Sequence, residues 1–124
     1  MTIRPSALRW LAVQHQIHSG ARFTSKFYLS NKSWANQNAW GLQIPSKHFT
    51  AQSISDVHLV CQDATNSNNF HYLCVPVSFI QNNLSGLDIR KNGAISLSLS
   101  ALPTSLFRDE RGSAKLNFSP FIIP

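Results

Sequence analysis

The sequence predicts an α+β protein: an N-terminal helix packed on a mostly antiparallel β-sheet, with a second short helix near residues 77–84. Three observations carry that prediction. Pro5-Ser6 and Gly20 bracket a wide apolar arc at helical spacing. Later segments, most clearly Ile95 to Ala101, alternate apolar and small polar residues with period two. Turn residues also punctuate those segments at short intervals.

Taken in order, Leu8, Leu11, Ala12 and His15 form one helical stripe, with Trp10, Val13 and Ile17 on the adjoining one. His15 and His18 then fall in the last turns, where the helix dipole favours a cation. Residues 22–30 are rich in β formers. Phe23, Ser25, Phe27 and Leu29 share the face expected to enter the core, and Arg22, Thr24, Lys26, Tyr28 and Ser30 share the other. Asn31-Lys32-Ser33 is a turn, and Trp40 to Ile44 is a second strand stopped by Pro45.

Ile54 to Gln62 and Phe70 to Val77 read as a hairpin joined by the polar loop Asp63 to Asn69. A simple register sets Cys61 opposite His71 and His58 opposite Cys74. The short helix follows, closed at Ser85-Gly86. Asn92-Gly93 predicts a type I′ turn between Leu87–Arg90 and Ala94–Leu102. In the later strand Ile95, Leu97, Leu99 and Ala101 point inward. Ser96, Ser98 and Ser100 point outward, toward solvent or a partner. Arg108 to Gly112 is a charged turn, with local ion pairing expected around Asp109-Glu110. Lys115 to Ile123 supplies a last strand.

With 124 residues, the chain suits a single domain spanning 1–124 and can bury a core without metal or disulfide support. Two cysteines do not make a disulfide scaffold. No apolar stretch approaches membrane-span length, and no secretory pattern opens the chain, so a cytoplasmic location and no membrane partner are expected. An acid-free, Arg- and Ser-containing N-terminus also suits a transit peptide, but the Trp-rich sequence after Gly20 reads as folded protein. Only 13% of residues are charged, against about 25% in an average protein. Ser, Asn and Gln fill the difference, a composition that favours self-association.

The charge is uneven. Arg4, Arg9, Arg22, Lys26, Lys32 and Lys47 precede the first carboxylate, Asp56, so residues 1–55 hold the whole formal net charge of +6. All three tryptophans lie in the same stretch. Cations interleaved with aromatic rings suit an anionic partner, since cations neutralise phosphates and rings stack on bases. The residues assigned to that partner are Arg22, Lys26, Tyr28, Lys32, Trp34 and Lys47. Nucleic acid and an acidic protein both fit.

Catalytic readings are weaker, and no catalytic residue is assigned. His58-x2-Cys61 and His71-x2-Cys74 have the residue types of a zinc site. In strands, however, residues i and i+3 point to opposite faces, so no metal is assigned. A cross-strand Cys–His neighbour would lower a thiol pKa and leaves a His/Cys enzyme as an alternative. Asp56, Asp63 and Asp88 could bind a catalytic metal only if three separate segments converged. His15-x2-His18 lacks a third ligand. No phosphate-cradling glycine motif and no G-x-S-x-G is present. The reading is therefore a small binding protein without a cofactor. Its alternative is a self-associating module, a homodimer included, or a protein-interaction module that uses the polar sheet face.

Overall fold

The computed structural model describes residues 3–50 and 54–124. The α+β class holds, and the strands divide between two four-stranded sheets. One sheet orders β1 (Arg22–Ser25), β4 (Asp56–Gln62), β5 (Phe70–Pro76) and β8 (Ile122–Ile123), with β1 parallel to β4 and the other pairs antiparallel. The other orders β2 (Phe27–Tyr28), β3 (Ala39–Ile44), β7 (Ile95–Ser100) and β6 (Asp88–Ile89), antiparallel throughout.

The inner faces of the two sheets close on one core. Val57, Leu59, Cys61, Leu73 and Val75 come from the first sheet, and Trp40, Leu42, Ile44, Ile95, Leu97 and Leu99 from the second. Period-two alternation sends every second residue there, and truncating one such leucine costs about 2–5 kcal/mol. Trp40 stacks on Phe107 with centroids 4.8 Å apart. Phe107 adopts φ 62°, a strained region for a bulky residue, and is held there by burial and by its N–H bond to Ser100 O at 2.7 Å.

Residues 22–30 are not one strand. The chain leaves the first sheet at Ser25 and enters the second at Phe27. Ser25 Oγ fixes this corner, donating to Lys26 O at 2.8 Å and accepting Gly41 N–H at 2.9 Å. The predicted parity largely survives the break. Phe23 and Phe27 pack on the core, whereas Leu29 lies past the strand end and is 60% exposed.

Helix α1 (Arg4–His15) covers the outer face of the first sheet. The buried stripe runs between the two expected ones. Ala7 and Leu11 are buried against Val60, Phe70 and Tyr72, and Ile3 and Trp10 pack beside them, while Val13 is exposed. The helix ends earlier than the Gly20 signal implied. Gln16 takes the left-handed cap at φ 58°, and His18 lies beyond the helix, so His15 and His18 do not share a helical face. Two short α-helices, α2 (Lys47–Thr50) and α3 (Val77–Asn82), and three single-turn 3-10 helices complete the helical part among the described residues. The second of these is the one expected near 77–84.

The β4–β5 hairpin has the expected register, Cys61 opposite His71 and His58 opposite Cys74. The β6–β7 turn differs from the expected type I′. Arg90 N–H bonds Ala94 O, Gly93 N–H bonds Arg90 O, and only Gly93 has positive φ (+87°). This is a three-residue loop with glycine in the left-handed position, a geometry that also suits Asn-Gly. The last strand is reduced to Ile122–Ile123.

The serine face is a further correction. Ser96, Ser98 and Ser100 are 9%, 3% and 0% exposed, so the chain itself covers them. Ser100 Oγ lies 2.8 Å from Ser105 Oγ and accepts Leu102 N–H, and Ser96 Oγ accepts from Gln43. Those contacts close the Ser96 and Ser100 ends of the face.

Candidate functional site

The outer face of the β2–β3–β7 sheet carries two adjoining depressions of about 310 and 300 Å³. Tyr28 and Gly41 line both. The larger is walled by Lys32, Ser33, Trp34 and Arg111 and floored by Ala39, Gly41 and Ser98. The smaller is lined by Ile3, Arg4, Thr24, Ser25 and Lys26. Among the described residues, no Asp or Glu lines either.

Local sequence explains how these side chains are presented. Alternation along β2 turns Phe27 inward and Tyr28 outward, and the Lys26 ammonium sits 5.4 Å from the Tyr28 ring centroid. The turn chemistry of Asn31-Lys32-Ser33 builds the overhanging loop. Lys32 N–H bonds Leu29 O, Ser33 Oγ donates to Gln37 O at 2.5 Å, and Ser30 N–H bonds Asn38 Oδ1. Trp34 stands on this loop, 58% exposed.

Arg111 arrives from the other end of the chain. Its Cζ lies 4.4 Å from the Trp34 ring centroid, and its Nε donates to Asp88 at 2.8 Å. The backbone beneath it is fixed by Asp109, which is fully buried. The Asp109 carboxylate accepts the N–H groups of Ser98, Arg111 and Gly112 at 3.1, 3.1 and 3.0 Å. Burial pushes the Asp109 carboxyl above its usual range, and those three donors pull against the shift. The local pairing expected here is only partly present: Arg108 pairs Glu110, but Arg111 reaches Asp88 and Asp109 bonds backbone.

Of the six residues assigned from sequence, Lys26, Tyr28, Lys32 and Trp34 gather around the two depressions. Arg22 lies on β1 beside His58, its Nε buried without a partner. Lys47 opens α2, beyond the far end of β3 from Gly41. Sequence reasoning missed Arg4, Gly41, Ser98 and Arg111. Arg4 is the exception that could have been found, because it belongs to the same acid-free stretch.

The histidine and cysteine groups are arranged differently from a catalytic site. Cys61 is fully buried in the core, and burial pushes its thiol pKa up, opposite to the activation considered for a Cys–His pair. His71 Nε2 lies 2.9 Å from Asp63 Oδ1. On the opposite face, under α1, His58 Nδ1 is 2.7 Å from Tyr72 Oη. Burial lowers the His58 pKa, with Asp56 opposing and Arg22 adding to the shift. Asp56 opens β4 and Asp63 follows its last residue, while Asp88 belongs to the other sheet. No group of three His, Cys, Asp or Glu converges among the described residues.

No protein-family model matches this chain, and no curated protein or solved structure matches it. Among the described residues, no helix is long and apolar enough to cross a membrane.

Proposed function

We propose that the protein binds an anionic polymer, single-stranded nucleic acid, across the outer face of β2 and β3. One observation carries the reading: four cations, Arg4, Lys26, Lys32 and the Asp88-paired Arg111, and two outward aromatic rings, Tyr28 and Trp34, line two contiguous depressions that have no carboxylate among their described lining residues. An acidic protein would satisfy the cations alone. The exposed Trp34 and the outward Tyr28 favour bases, because stacking on an aromatic side chain contributes about 1–3 kcal/mol per base.

Fluorescence anisotropy with a labelled 12-nucleotide poly(U) strand tests the reading. Four phosphate contacts on a single strand give log Kobs a slope of at most about −3 against log salt. Lys26→Glu with Lys32→Glu should flatten that slope, and Trp34→Ala should weaken binding at every salt concentration. Binding that ignores salt, or that poly-glutamate displaces as readily as poly(U), rules the reading out.

A further inference from the structure

We propose that the depression beneath Trp34 is a subsite for one nucleotide, with its phosphate on Arg111 and Lys32 and its base against Tyr28 over Gly41. The inference rests on the nucleic-acid reading and narrows it. A cavity of about 310 Å³ lies at the lower end of the range for small-molecule sites, which suits a single nucleotide rather than a longer segment.

Arg111 is held in place before any ligand arrives. Asp88 fixes its Nε at 2.8 Å, Asp109 fixes its backbone N–H at 3.1 Å, and Trp34 covers its guanidinium at 4.4 Å. Its two Nη atoms make no hydrogen bond to a described residue, and its side chain is 14% exposed. A planar guanidinium positioned in this way suits two oxygens of one phosphate, and preorganisation lowers the entropy lost on binding. Lys32, on the opposing loop, supplies a second charge.

Gly41 opens the floor. A Cβ placed there would meet only the Tyr28 ring, at 4.0 Å, so the space beside that ring is bounded by bare backbone. A flat base can approach it without displacing a side chain. Ser98, 3% exposed, lies in the same floor and adds no bulky side chain to it.

The absence of crowding at Gly41 supplies a clean test. Gly41→Val fills the floor on an outward strand position, where a β-branched residue is favoured. Adenosine monophosphate, adenosine and inorganic phosphate are titrated into the full chain by amide NMR, with poly(U) binding measured in parallel. The expected result is that the monophosphate binds, shifts Tyr28, Gly41, Ser98 and Arg111, and displaces poly(U). Adenosine and phosphate alone should bind at least tenfold more weakly. Gly41→Val and Arg111→Gln should each weaken the monophosphate tenfold or more, with Gly41→Val melting no lower than wild type. If poly(U) binds but the monophosphate does not, or Gly41→Val binds it as wild type does, the subsite is refuted and the polymer reading stands. If neither ligand binds, both fall.

Discussion

Arg111 lies against Trp34, its Cζ 4.4 Å from the ring centroid, while its Nε donates to Asp88 at 2.8 Å. The guanidinium thus joins a loop of the basic N-terminal stretch to a strand of the charge-balanced remainder. The Arg111 hydrogen bond is the chief reason that the Asp88 carboxyl is held below its usual range, with Arg90 contributing less. Arg111→Gln should move the Asp88 titration up toward the ordinary carboxylate value, as read by carboxyl-carbon NMR. Asp88 contributes stability that is present above its unfolded pKa and lost as pH falls through the depressed folded value, so the variant should lose less stability on acidification. An unmoved Asp88 titration would show that the pair does not persist in solution.

Asp109 tests the support beneath that pair. Asp109→Ala leaves the buried N–H groups of Ser98, Arg111 and Gly112 without their acceptor. Each orphaned group costs about 1–3 kcal/mol, partly offset by relief of the buried charge, so a net loss of about 3 kcal/mol is expected in urea unfolding. Gly112→Ala should act through the same loop, because its Cβ would fall 2.2 Å from Gly86 O and 2.9 Å from Asp109 Oδ2. Stability within 0.5 kcal/mol of wild type, an order-of-magnitude threshold for surface changes, would contradict the buried role of Asp109.

Asp63 has the opposite sign. The Thr65 hydroxyl leads a set of donors that includes the backbone N–H groups of Thr65 and Asn66 and His71, and its carboxyl is brought down to about 2. A depressed folded pKa contributes stability above the unfolded value near 3.9, and that contribution fades from about pH 5 and is lost as pH falls through the folded value toward about pH 1. Because the site is partly solvated, Asp63→Asn should cost on the order of 1 kcal/mol at pH 7. The difference from wild type should shrink steadily below about pH 5 and be gone only below the folded value, by about pH 1. A difference that does not shrink on acidification would mean that the effect is not ionic. Thr65→Ala should return part of the shift.

His58 and Tyr72 form a hydrogen-bonded pair under α1, with Nδ1 and Oη 2.7 Å apart. Burial, followed by the hydrogen bond with Cys74, pushes the Tyr72 phenol up, and burial draws the His58 pKa down. A histidine with a lowered folded pKa costs stability as pH falls from the unfolded value near 6.5 through the folded one, because only the unfolded chain takes up the proton. Tyr72→Phe should cost about 1 kcal/mol at pH 8. His58→Gln should flatten the pH dependence of unfolding between pH 7 and pH 5, an interval of order one unit either side of the reference value. A His58 titration at or above about 6.5 in the folded protein would remove the basis for this expectation.

By itself the sequence determined what short-range rules can specify. The helix, the hairpin register that pairs Cys61 with His71, the inward Phe23 and Phe27 and the outward Tyr28 follow from period, turn residues and local propensity. It also placed the whole net charge before Asp56, and with it Lys26, Tyr28, Lys32 and Trp34 of the candidate site. Only the tertiary structure decided that the strand beginning at Arg22 breaks at Lys26 and serves two sheets. It also buried the serine face and brought Arg111 to Trp34. Each of those depends on segments distant in sequence. Period-two alternation states which side of a strand faces away from its own core but not what covers that side. Two acids between two arginines look locally paired until the buried Asp109 turns to backbone and leaves Arg111 for Asp88 and Trp34.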